Sequence, residues 1–185
     1  MIVVLFINCP YHDRFMTVKG LKPTSSLITI SAGITESAAN TFTSQRVDLQ
    51  LNALDNEVFV VYAIDLDAFA PDNLTNTKTV TKMSVSTTER QDVGGLDDSN
   101  VLATKRIEIQ NVADTCAAVT EYMAGETPAA NLPYIGIIAT NDFYLNIDGD
   151  NNTLAKSGNA RLWGMRMKAD SSVYAALVQS ELLSA

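Results

Sequence analysis

The chain has little of the equipment that marks an enzyme. It carries one histidine, His12, and two cysteines, Cys9 and Cys116, in 185 residues. Nucleophilic catalysis needs a Ser, Cys or Thr beside a base and an orienting group. The one histidine sits in an apolar opening stretch with no such pattern around it. There is no GxSxG and no HExxH, and "VGGLDD" has two glycines but no lysine and no following helix to cradle a phosphate. A zinc site needs about four ligands, which this supply cannot meet without carboxylates. The two cysteines, far apart and without CxxC spacing, read as free, buried thiols, with a disulfide as the alternative. No cofactor or metal is expected from these counts.

Charge is also scarce. Charged residues make up 18% of the chain, and the formal net charge is −8. A surface of that sign repels phosphate backbones, and no basic patch is interleaved with aromatics, so no nucleic-acid partner is expected through a basic arm. Long apolar runs are missing too. "MIVVLFI" at the start is far shorter than the roughly 20 residues of a membrane-spanning helix. It has no Lys or Arg before Arg14 and no small-residue cleavage site, so it does not read as a secretion signal, and outside a larger particle a cytoplasmic location is expected. Two readings stay open: a short buried or edge strand ended by Pro10, or translated upstream sequence before a true start at Met16. The expected domain is therefore a single β unit over 16–185, with 1–15 an extension or edge strand. Sequons at Asn73 and Asn151 carry no weight without a leader.

What fills the space is uncharged polar and apolar sequence in period-2 patterns. "SSLITISAGI" reads as a strand. Val47, Leu49 and Leu51 alternate with Asp48, Gln50 and Asn52. "EVFVVYAIDLDAF" begins apolar on both faces, as a central strand would, and turns polar through Asp65 and Asp67. Thr79, Thr81, Met83 and Val85 share one face of the next strand, and Ile107 and Ile109 one face of "ATKRIEIQNV". "YIGIIATNDFYLNI" and "ARLWGMRMKA" are further strands, separated by a polar loop, "DGDNNTLAKSGN".

Two segments read as helices. Val112, Cys116, Val119 and Met123 fall at helical spacing, with Asn111 as N-cap, Asp114 at the positive end and Gly125 after the last turn, which predicts a short helix near 112–124. Tyr174, Leu177, Val178 and Leu182 predict a C-terminal helix near 171–183. Strands do not alternate with helices, which argues against a parallel α/β fold. The expected class is mainly β: an antiparallel β-sandwich, a jelly roll of about eight strands.

The candidate chemistry is thin. Asp65 and Asp67 share a strand face and could serve a hydrolase, with Glu89 and Glu108 as further carboxylates. Asp148, Asp150 and Asn152 begin like a calcium loop, but Thr153 and Asn159 stand where Gly and Glu belong, so turn chemistry is the plainer reading. With Asp97 and Asp98 they could line a ligand- or carbohydrate-binding β-sandwich. Trp163 could stack on a sugar, yet it keeps register with Met165 and Met167 as a core residue would.

The block from "YIGIIATNDFYLNI" through "ARLWGMRMKADSSVYAALVQSELL", with the Thr- and Asn-rich strands before it, resembles the small single jelly-roll capsid proteins of tailless icosahedral viruses. The resemblance covers residues 25–185 in size, strand order and composition. It implies a non-enzymatic virion protein that self-assembles, with copies of itself or with a second capsid protein beside them. Trp163, Met165, Tyr174, Leu177, Val178 and Leu182 are then the core or interface candidates. The basic arm that many capsid proteins carry for packaged nucleic acid is not visible here.

Overall fold

The computed structural model describes residues 19–113, 116–124 and 132–183. Among them lie ten strands and one α-helix: β1 (Leu21–Pro23), β2 (Ile28–Thr35), β3 (Thr43–Asp48), β4 (Glu57–Ala68), β5 (Lys78–Ser86), β6 (Val101–Val112), β7 (Cys116–Ala124), β8 (Gly136–Ile138), β9 (Asp142–Asp150), β10 (Ser157–Ala169) and α1 (Ser171–Leu183). The strands form two sheets. One runs β2-β10-β4-β8, with β1 beside β2 on the same edge of β10; the other runs β3-β9-β5-β6-β7.

The pairing is nested. β2 pairs with β10, β3 with β9, β4 with β8 and β5 with β6, all antiparallel. β4 then joins β10, and β5 joins β9. That is a long hairpin wrapped into two sheets, the jelly roll. Eight strands make it; β1 and β7 are additions at its edges.

Alternation explains why these residues form these strands. Phe59, Val61, Ile64, Leu66, Ala160 and Leu162 of one sheet meet Met83, Val85, Phe143, Leu145 and Ile147 of the other in the main core. A one-residue bulge at Tyr62 keeps β4 in phase: Trp163 faces Ala63 while Gly164 faces Val61. The inward set therefore switches from odd to even residues, Phe59 and Val61 before the bulge, Ile64 and Leu66 after it. Gly164 sits at the bulge because a side chain there would come within 2.6 Å of the Val60 carbonyl oxygen.

The outward face of β4 explains its composition. Val58 and Val60 are buried there with Met165, Met167 and Ala169 of β10, beneath Val173, Tyr174, Leu177 and Val178 of α1. Both faces of the first half of β4 are thus covered, and it reads as a continuous apolar run. Beyond the helix, Asp65 and Asp67 face solvent and alternation returns. α1 starts where the Asp170 carbonyl accepts from Tyr174 N–H at 2.9 Å. The side chain of Leu182 lies outside the described residues.

Three expectations are corrected. The segment read as a helix near 112–124 is strand β7, paired residue by residue with β6 from Thr104↔Ala124 to Val112↔Cys116. Its residues Cys116–Met123 are all exposed, so no buried face fixed a period, and the helical spacing was coincidental. Asn111, expected as its N-cap, instead donates from Nδ2 to Asn73 Oδ1 at 2.9 Å, and the turn is made by Ala113 at φ 52°. Asp114 and Gly125 lie outside the described residues. Cys116 is free but exposed, not buried; Cys9 and His12 lie outside the described residues. "YIGIIATNDFYLNI" is two strands, because β8 pairs in one sheet and β9 in the other, and the chain crosses between sheets at Ala139–Asn141.

Candidate functional site

Four places hold the residues that could do something. The first is the end of the sandwich where Asp148, Asp150 and Asn152 lie. Asp148 and Asp150 are outward residues of β9 and share one cation, Lys82 Nζ, at 3.7 and 2.6 Å. Burial pushes the Asp148 carboxyl above its ordinary range, against the pull of Lys82. Asn152 turns the other way and is buried. Its Nδ2 donates to the Val80 carbonyl at 2.8 Å, and its Oδ1 accepts from Asp72 N–H at 2.9 Å. Asn40 holds its backbone on both sides. The three therefore do not converge, and among the described residues no group of three or more His, Cys, Asp or Glu could hold a metal ion.

The same end contains polar residues that the sequence did not single out. Glu36 is 3% exposed. Its carboxylate accepts from Gly149 N–H and Lys156 N–H, each at 2.7 Å, and from Thr41 N–H at 3.2 Å. Asp72 pairs with Lys156 and accepts from Thr153 N–H at 2.7 Å, which holds its carboxyl well below the usual range. These groups tie three loops into one rigid end. Only the run of Asn and Asp in "DGDNNT" hinted at it.

The second place is a cleft of about 840 Å³ on the outer face of the β3-β9-β5-β6-β7 sheet. Its floor is Lys78, Lys82, Arg106, Glu108 and Asp148; its walls are the Asp92–Gly95 loop and Tyr122 with Met123 of β7. The charges are matched inside the cleft. Lys78 and Arg106 both pair with Glu108, and Lys78 holds that carboxyl below its ordinary range. Asp98 is bound by Arg90 at 2.8 Å and accepts from Gly95 N–H, so it braces the loop and does not join Asp148.

The third place is a depression of about 600 Å³ around Asp65 and Asp67. Register sets them opposite Arg161 and Asn159 of β10. Both carboxylates are exposed, side by side on one face, and among the described residues no other carboxylate lines the depression. Trp163 lies on that outer face, half-buried, its ring 5.9 Å from the Arg161 guanidinium carbon. Met165 and Met167 continue the same face under α1.

The fourth place is β7. It is the last strand of its sheet, and among the described residues no strand pairs its outer edge. Val119, Tyr122 and Met123 are 66%, 56% and 49% exposed. Its one charge, Glu121, is held by Lys105 Nζ at 2.8 Å. Sheet edges are ordinarily protected by lysine, proline, bulges or brevity. β3 carries Arg46 and Asp48, and β8 has three residues. β7 runs nine residues with no lysine, proline or bulge, and its one charge is neutralised by Lys105. β2 is also uncharged, but it presents only Thr29, Ser31, Gly33 and Thr35 outward.

No family model matches the chain, and no curated protein matches it. Similar solved structures include a chain of the Cocksfoot mottle virus structure, 12% identical, covering 87% of this chain and 91% of that one at a TM-score of 0.35. A chain of the Desmodium yellow mottle tymovirus structure is 9% identical, covering 80% and 89%, at a TM-score of 0.30. A likeness this slight says nothing of what the protein does. No helix among the described residues is long and apolar enough to cross a membrane.

Proposed function

We propose that this protein is a structural subunit that assembles with copies of itself, a virion shell being the assembly that the sequence resemblance implies. The observation that carries the reading is the β7 edge. A nine-residue strand whose outer edge is paired by no strand among the described residues, with exposed Val119, Tyr122 and Met123, is a surface built to be covered. The jelly-roll topology is compatible with a shell subunit, although the same fold serves lectins and cupins. The folded unit in this reading spans 16–185.

A second reading rests on the charge-lined cleft. Its volume is in the range of small-molecule sites, and Tyr122 on its wall offers a stacking face, so a ligand-binding module is the alternative. Size-exclusion chromatography with light scattering on the full chain separates the two. Ordered oligomers or shells support assembly. A strict monomer whose melting temperature rises with calcium or a glycan supports the second reading and overturns the first.

A further inference from the structure

We propose that two copies join by pairing β7 with β7 antiparallel across a two-fold axis that passes between their two Thr120 residues, merging their sheets into one. The inference rests on the assembly reading and names its geometry. β7 is Cys116–Ala124, an odd number of residues with Thr120 at its centre. Full overlap of two such strands therefore sets Thr120 opposite Thr120 of the second copy. Residues at equal distances on either side then meet: Val119 with Glu121, Ala118 with Tyr122, Ala117 with Met123.

Three features of the strand favour this register. Large side chains meet small ones, Tyr122 against Ala118 and Met123 against Ala117, so both faces of the seam fill without collision. Thr–Thr is a favourable cross-strand pair, and opposed like charges are not. A register centred on Glu121 would set two carboxylates face to face. In the Thr120 register each Glu121 faces Val119 and stays bound to Lys105 of its own chain at 2.8 Å. The exposed residues Val119, Tyr122 and Met123 are then covered together. A two-fold pairing of this kind is closed and self-complementary.

The test uses the full chain with Cys116 replaced by Ser. Directly opposed residues of an antiparallel pair have Cα atoms about 4.5–5.5 Å apart, within reach of a disulfide. Thr120→Cys in the Cys116→Ser background should therefore cross-link to a dimer under mild oxidation. Ala118→Cys alone should not, because its own copy lies four residues away along the seam, roughly 13 Å. Ala118→Tyr should weaken dimerisation by about tenfold through overpacking, and Ala118→Tyr with Tyr122→Ala should restore it. These substitutions lie on exposed positions, and circular dichroism confirms that each variant is folded. Dominant cross-linking at position 119 or 121 overturns the register. Oligomers without cross-links at any position from 118 to 122 overturn the β7 pairing while leaving the assembly reading standing. A monomer by light scattering removes both. A chain beginning at Met16 should cross-link equally well; loss of the cross-link there would make residues 1–15 the occupant of the edge and overturn the pairing of copies.

Discussion

The two ends of the second sheet treat their polar atoms in opposite ways. Around Glu36, Asp72 and Asn152 nearly every group is used within the chain: carboxylates accept backbone N–H groups and a buried amide bridges two loops. At β7 no strand among the described residues pairs the outer edge, and Val119, Tyr122 and Met123 are exposed. Satisfied groups leave nothing for a partner and make the end stiff. Open groups cost stability in isolation and are recovered when another surface covers them. Asn152 and Asp72 thus spend their polar atoms on neighbouring loops, in keeping with turn chemistry as the plainer reading of the acidic loop.

The largest effect is expected at Glu36, where the stiff end is held. Glu36→Ala would orphan the buried N–H groups of Gly149 and Lys156, at about 1–3 kcal/mol each, so a loss of about 2–6 kcal/mol is expected in chemical denaturation. Particle mass should not change. A loss under about 1 kcal/mol would mean that water replaces the carboxylate and that the end is not held as described.

Leu177 comes next. It is half-buried between α1 and the outer face of β4 and β10, so Leu177→Ala should cost about 2 kcal/mol, near the lower end for a buried leucine. Leu177→Asp should melt earlier still, with its assembly state following the stability. A stable chain that became monomeric with Leu177→Asp would move the interface from β7 to the helix.

Glu181 gives a pH-dependent effect of smaller size. Burial against the sandwich pushes its carboxyl above its ordinary value of 4.5, although Ala139 N–H donates to it at 2.9 Å. Just above pH 4.5 the folded state therefore holds a proton that the unfolded state has released. Stability should rise as pH falls towards 4.5, and fall as pH rises above it through the raised folded value. Asp148 has the same sign. Asp72 and Glu108, held below their ordinary values, act in the opposite sense and only at more acidic pH. Glu181→Gln keeps an acceptor for Ala139 and should flatten part of the slope of melting temperature just above pH 4.5. An unchanged slope would place the charged carboxylate in water.

The smallest effect is expected at the exposed pair. Asp65→Asn with Asp67→Asn should shift stability by no more than about 0.5 kcal/mol and leave particle mass alone. A hydrolase screen that registered turnover abolished by these changes would replace the structural reading with an enzymatic one.

Much of the fold was legible because burial writes itself into alternation. Thr79, Thr81, Met83 and Val85 are all buried on one face, and "EVFVVY" is doubly apolar because α1 covers its outer side. β7 was not legible for the same reason: a strand exposed on both faces carries no period, and only its pairing with β6 makes it a strand. The break between β8 and β9 is marked only by the short polar run Thr140, Asn141 and Asp142 between two strand-like halves, and nothing local shows that the two halves serve different sheets. Glu36 was invisible since a lone glutamate after a strand gives no sign that three N–H groups will surround it. The edge itself could have been noticed in "CAAVTEYMA", which has one charge and no proline.

The sharpest test of β7-mediated assembly is particle mass as a function of concentration, measured by light scattering on the wild-type chain and on Thr120→Lys. Lysine on an exposed edge is the ordinary device against strand pairing, here it would face its own copy across the seam, and at this exposed position it disturbs no buried contact. Wild type should form oligomers while Thr120→Lys, melting at the same temperature, should fall to a smaller species. Equal masses for the two, whether both assembled or both monomeric, would contradict assembly through β7.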